Sequence, residues 1–182
     1  MVKAYLFVDA AYFKQKAVTV ATTTHPQDTG KIISCYTSFR NGVARYEPGK
    51  FYKRELPCIM KVLGLVKEPL KTIFIDAHVW LSPAHPGLGA HLFNAIGKKI
   101  PVIGMAKKGF AMQEKTDEML VKRVYRGKSK HPLHVTAAGI DLDQAAQVVQ
   151  RLCGSFRIPY AMKKSHSLAR CKLRQMVGLE VE

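Results

Sequence analysis

Residues 71–76 read KTIFID, a run of β-branched and aromatic residues closed by an aspartate, and this is the clearest strand in the chain. Working outward, KAYLFVD (3–9) is a second such run, apolar on both faces and therefore expected at the centre of a sheet. QKAVTVATTT (15–24) and KIISCYTSF (31–39) read as strands on either side of a turn, HPQDTG (25–30), and Asn41-Gly42 closes the third strand. Short connections among these three predict an antiparallel meander. After it, apolar residues at helical spacing predict a helix over 51–65, with Leu56, Ile59, Met60 and Leu63 on its buried face. The strand at 71–76 follows, then a loop SPAHPG (82–87), a helix over 88–98 and a strand PVIGMA (101–106). Weaker strands are expected at 118–126 and 132–136. Asp141 opens a helix over 141–153, and a basic helix occupies 160–176. Three strands followed by alternating helix and strand predict an α/β fold: one domain, residues 1–182, with a mixed sheet covered by helices on both faces.

The charge balance narrows the function. The chain has 29 Lys+Arg against 13 Asp+Glu, a formal +16. A field of that size implies a polyanionic partner, nucleic acid first, with an acidic membrane surface or a ribosomal neighbour as alternatives. No apolar run is long enough to span a membrane, and the first residues read as a strand rather than a signal peptide. Cys35, Cys58, Cys153 and Cys171 form no CxxC pair. Neither zinc nor a disulfide scaffold is expected, and a cytoplasmic location is.

Against this background three acids stand in apolar surroundings. Asp9 ends the run Leu6-Phe7-Val8, and Asp76 ends Ile73-Phe74-Ile75. Either could be a turn former, but sites in open α/β sheets form beyond the carboxyl ends of strands. Glu55 shares a helical stripe with Phe51 and Ile59 beside the buried face. A carboxylate there needs a partner, either Lys53 or Arg54 or a metal ion. Two aspartates and a glutamate make an all-oxygen set suited to Mg2+, with Mn2+ as the alternative. A cation would also reconcile clustered carboxylates with a polyanionic substrate.

Several segments together are specific. LFVDAAYF (6–13), RYEPGKFYKRELPCIMKVL (45–63), FIDAHVWLSPAHPGLGAHL (74–92) and PVIGMAKKGF (101–110) resemble, in this order, the motifs of the endonuclease V family. Weaker similarity continues through KHPLHVTAAGIDLDQA (130–145) and FRIPYAMKKSHSLAR (156–170). These are deaminated-base repair nucleases with a ribonuclease H-like fold. The resemblance implies that Asp9, Glu55 and Asp76 bind metal, that Lys107 stabilises the reacting phosphate, and that Tyr46 is a wedge pushed into the duplex. It places Pro48, Gly49, Ala77 and His78 against the substrate. It implies cleavage 3′ to hypoxanthine or inosine in DNA or RNA; a monomer is expected. The chain departs from the family at Arg45-Tyr46-Glu47-Pro48, and at Ala77, where the family has glycine. The family's His-Pro pair aligns with Ser82-Pro83, and only a three-residue shift brings His85-Pro86 there; His85 is nevertheless expected to reach the site from the same loop. A second family histidine is replaced within Thr136-Ala137-Ala138-Gly139. Two further readings follow from these changes: a nucleic-acid-binding protein without catalysis, and a structure-specific nuclease.

Among the rest, His78, His91, His131, His134 and His166 lack metal-ligand spacing and read on their own as surface or capped histidines. Trp80 reads either as a stacking residue or as a loop anchor. The basic stretches 121–130 and 163–174 are expected to contact phosphates.

Overall fold

The computed structural model describes residues 2–45, 47, 50–110 and 120–178. Two antiparallel hairpins open the chain: β1 (Ala4–Phe13), β2 (Lys16–His25) and β3 (Asp28–Arg40). Helix α1 (Phe51–Leu63) leads to β4 (Leu70–Ile75). A small two-stranded ladder, β5 (Trp80–Ser82) and β6 (His85–Pro86), precedes α2 (Leu88–Ala95) and β7 (Val102–Ala106). The chain closes with β8 (Lys122–Val124), β9 (Leu133–Ala138), α3 (Leu142–Arg151) and α4 (Tyr160–Val177).

The main sheet has seven strands in the order β3-β2-β1-β4-β7-β9-β8. β4 and β7 run parallel to β1, whereas β9 turns back antiparallel to β7 and pairs with β8. Alternation along β1 builds both layers. Leu6 and Val8 pack with Ile59 and Val62 of α1 and Leu88 and Leu92 of α2 on one face. Tyr5 and Phe7 pack with Ala145 and Val149 of α3 and Ala161 and Met162 of α4 on the other. Helices thus cover both faces, as the element order predicts.

The structure revises several boundaries. The turn expected over 25–30 shrinks to Pro26-Gln27, because β3 begins at Asp28. The strand expected to end at Asp9 continues to Phe13, paired throughout with β2, so Asp9 lies mid-strand opposite Val20. The loop read at 82–87 contains half of the β5–β6 ladder, whose two pairs, Trp80↔Pro86 and Ser82↔His85, are too few to leave a period in the sequence. The strand expected over 118–126 is confined among the described residues to Lys122–Val124, with 118 and 119 outside them, and the helix expected over 88–98 ends at Ala95.

One glycine fixes the turn after β4. Gly104 of β7 faces that turn so closely that a Cβ would overlap the Ala77 carbonyl oxygen and come 2.8 Å from Thr136 Oγ1. Thr136 is itself fully buried and accepts a 2.7 Å hydrogen bond from the Val79 N–H. Gly104→Ala is expected to cost about 2 kcal/mol or more through overpacking, with the turn beside Asp76 displaced. Chemical denaturation that finds the variant within about 0.5 kcal/mol of wild type would remove this account.

Candidate active site

The parallel ladder between β1 and β4 ends at Val8↔Ile75, so Asp9 and Asp76 are the next residues on two neighbouring strands. They stand side by side at the carboxyl end of β4, where the sheet stops covering them. Asp9 falls on the α4 face, in alternation with Tyr5 and Phe7. Its Oδ1 accepts the Ala10 N–H at 2.8 Å, and its Oδ2 lies 2.6 Å from His166 Nδ1 on α4. Burial raises the Asp9 pKa, the His166 hydrogen bond opposes that, and the charge of Asp76 raises it further.

Glu55 reaches the same place from α1. It is only 8% exposed, and its pKa is pushed up to about 8. Burial is the main cause; the Tyr12 hydroxyl opposes it, Asp9 adds to it, Arg54 opposes it and Asp76 adds again. The Tyr12 hydroxyl faces Glu55 and Cys58 but completes a well-formed hydrogen bond with neither. The Arg54 charge favours the ionised form of Glu55, yet among the described residues no lysine or arginine forms an ion pair with it. Lys53 is exposed, and the Arg54 guanidinium lies 4.2 Å over the Tyr12 ring. The three acids therefore share one electrostatic neighbourhood, although among the described residues no three His, Cys, Asp or Glu side chains already close a metal cage.

Lys107, just beyond β7, donates a short hydrogen bond to Asp76 Oδ2. His85 is elsewhere: it is exposed on β6, and its Nδ1 is 2.7 Å from Ser82 Oγ. The β5–β6 ladder pins Ser82 and His85 to each other. The histidine bonded to a carboxylate of the trio is His166, which spacing alone makes an ordinary surface residue. Its signal could not be local, because it lies 157 positions from Asp9.

Two recesses flank the Asp76–Lys107 pair. One, of about 500 Å3, is walled by Tyr52, Ala77, His78, Leu81, Leu88 and Phe110. In it His78 donates from Nε2 to the Lys108 carbonyl at 2.9 Å, and its Nδ1 is buried without a partner. Burial lowers the His78 pKa, a shift the Lys108 bond opposes and His134 reinforces, so the ring is held neutral. The other recess, about 420 Å3, is walled by Phe156, Arg157, Ile158, Met162, Lys163 and His166. Ala77 and His78 thus line a cavity beside Asp76, whereas Tyr46, Pro48 and Gly49 lie outside the described residues.

Two basic or aromatic residues turn out to be scaffolding. Trp80 anchors its loop by donating from Nε1 to the Ala137 carbonyl at 2.9 Å. Arg126, in the basic stretch expected to meet phosphate, is 3% exposed. It donates to the carbonyls of Leu152, Phe156 and Arg157, and so fixes the wall of the second recess.

The family model for endonuclease V matches residues 2–167. The chain belongs to the endonuclease V family. Curated endonuclease V proteins from Gloeobacter violaceus and Nocardia farcinica are 27% and 28% identical to it. The first alignment covers 74% of this chain and 61% of the relative, the second 94% and 81%. The chain thus spans about three-fifths of the length of the Gloeobacter relative. Among solved structures, endonuclease V from Streptomyces avermitilis aligns with a TM-score of 0.79 at 22% identity, covering 97% of this chain and 83% of that one. Ciona intestinalis endonuclease V, in complex with a 24mer DNA containing an inosine followed by a ribo-adenosine, gives 0.81 at 21% identity, with 96% and 87% covered. These likenesses establish the ribonuclease H-like fold, and the family match spans Asp9, Glu55, Asp76, Lys107 and His166.

Proposed function

We propose that this chain is a metal-dependent endonuclease that hydrolyses a phosphodiester bond 3′ to a deaminated purine in DNA or RNA. The observation that carries this reading is the meeting of Asp9 and Asp76 at the end of the β1–β4 ladder, beside a recess roomy enough to admit a base. The donor set fits a hard cation. It is all carboxylate, two of its members are side by side, and the third is buried with no ion-pair partner among the described residues. Asp9, Glu55 and Asp76 would hold Mg2+ or Mn2+, which when bound polarises a phosphoryl oxygen and supplies hydroxide. His166 fixes the orientation of the Asp9 carboxylate. Lys107, partly exposed, can pivot from Asp76 to an oxygen of the reacting phosphate, where its charge offsets the charge that develops. The apolar recess, with neutral His78 in its wall, suits a base taken out of the stack, which costs a few kcal/mol and least at a mispair.

The test is cleavage of an inosine-containing strand against a matched guanosine strand, as DNA and as RNA, with Mg2+. Cutting at one position of the inosine strand alone is expected. No cleavage above an Asp9→Ala control on either backbone would overturn the reading. The alternative of binding without catalysis draws on one observation, that His85 is engaged with Ser82 rather than with the carboxylates. It predicts salt-sensitive binding that survives Asp76→Asn, with no cleavage of any substrate.

A further inference from the structure

At the tip of the β1–β2 hairpin a recess of about 690 Å3 is lined by Lys14, Lys16, Arg45 and Arg54, with Phe13, Gln15 and Val177 in the rest of its wall. Among the described residues no carboxylate lines it. Four cations held together repel one another, so the cluster suits a site where a polyanion supplies the countercharge. The nearby acid Glu47 is already paired with Lys50 at 3.2 Å. Arg54 stacks over Tyr12 and leaves a buried Nε without a partner. Phe13 is 38% exposed and offers an apolar surface beside the charges. The recess also has a fixed relation to the active site. β1 is continuous from Asp9 to Phe13, and at about 3.3 Å per residue the five steps from Asp9 to Lys14 span about 17 Å, about half a helical turn of duplex. Arg54 adjoins Glu55 on α1, so both sides of the recess are rigidly coupled to the carboxylates.

We propose that this hairpin recess is a second nucleic-acid contact, in which Lys14, Lys16, Arg45 and Arg54 grip backbone phosphates roughly half a helical turn from the carboxylates. The inference rests on nucleic acid being the substrate, but not on catalysis. The test uses the full chain and labelled duplexes with and without inosine, with binding followed by fluorescence anisotropy across a salt series. Lys14→Ala/Lys16→Ala is compared with Lys3→Ala/Lys31→Ala, which removes two exposed lysines near the opposite end of the strands. The hairpin pair is expected to lose about 10-fold or more in affinity at about 0.1 M salt, equally on both duplexes. The slope of log K against log salt should fall by about 2. The control pair should leave both unchanged. Single methylphosphonate substitutions should weaken wild type at one window of the backbone, and at that window the hairpin variant should show no further loss. Equal losses from both lysine pairs, or undiminished methylphosphonate sensitivity in the hairpin variant, would overturn the proposal. Wild-type binding with this pattern but no cleavage would uphold the recess while overturning the nuclease reading. Absence of binding to any duplex or single strand would overturn both.

Discussion

Asp76→Asn is expected to lower kcat on an inosine-containing strand by about 10^3-fold while leaving strand affinity within about threefold. The substitution keeps the shape of the side chain and removes its charge. Asp76 sits where the parallel ladder ends, adds to the negative field on both Asp9 and Glu55, and is the partner of Lys107. Losing it removes a proposed metal ligand and the anchor of the lysine together. Affinity persists because it derives from the basic surface of a +16 chain. Folding is expected to persist too, because the Lys107–Asp76 pair is partly exposed and such pairs contribute little to stability. Single-turnover cleavage and anisotropy on the same strand separate the two quantities. A variant that retains kcat within about 10-fold would detach Asp76 from the chemistry.

Glu55→Gln is expected to raise the thermal stability of the metal-free protein at pH 8, by about 10 °C, and to abolish the stabilisation by Mg2+. The folded pKa of Glu55 is raised from the ordinary 4.5 to about 8. Between those values the folded chain holds a proton that the unfolded chain has released. Stability is therefore full below the ordinary pKa and falls as pH rises toward about 8. Every tenfold difference in proton affinity between the folded and unfolded chain is worth about 1.4 kcal/mol, so the loss reaches several kcal/mol by pH 8. Glutamine cannot ionise and escapes it. Differential scanning fluorimetry from pH 5 to 9 should show the wild-type minus variant Tm growing more negative up to about pH 8 and then levelling. Millimolar Mg2+ at pH 8 should close that gap from the wild-type side. A difference that does not change with pH would show that Glu55 is already neutralised by another group.

The parts of the fold written in short-range pattern were legible in the residues. Central β1 and β4 announced themselves as runs of apolar β-formers, α1 by helical spacing, and α3 by Asp141, whose side chain accepts the Gln144 N–H as an N-cap. The three acids were legible for a thermodynamic reason: a carboxylate in an apolar run is costly unless something compensates it. The β5–β6 ladder was not, because two pairs leave no period, and it is this ladder that holds His85 to Ser82. Nor was the role of Arg126, whose neighbours Lys128 and Lys130 are exposed while it is buried against carbonyls 26 to 31 positions away.

By itself, then, the sequence determined which residues would be apolar strands and helices, where carboxylates interrupt them, and the positive charge that selects a polyanion. Those properties belong to single residues and their near neighbours. Only the tertiary structure decided that Asp9 and Asp76 stand abreast, that Glu55 is buried with no ion-pair partner among the described residues, and that His166 rather than His85 bonds to an acid. Strand register and the docking of α4 across the sheet set these relations over as many as 157 positions, a separation at which local sequence carries no record of contact.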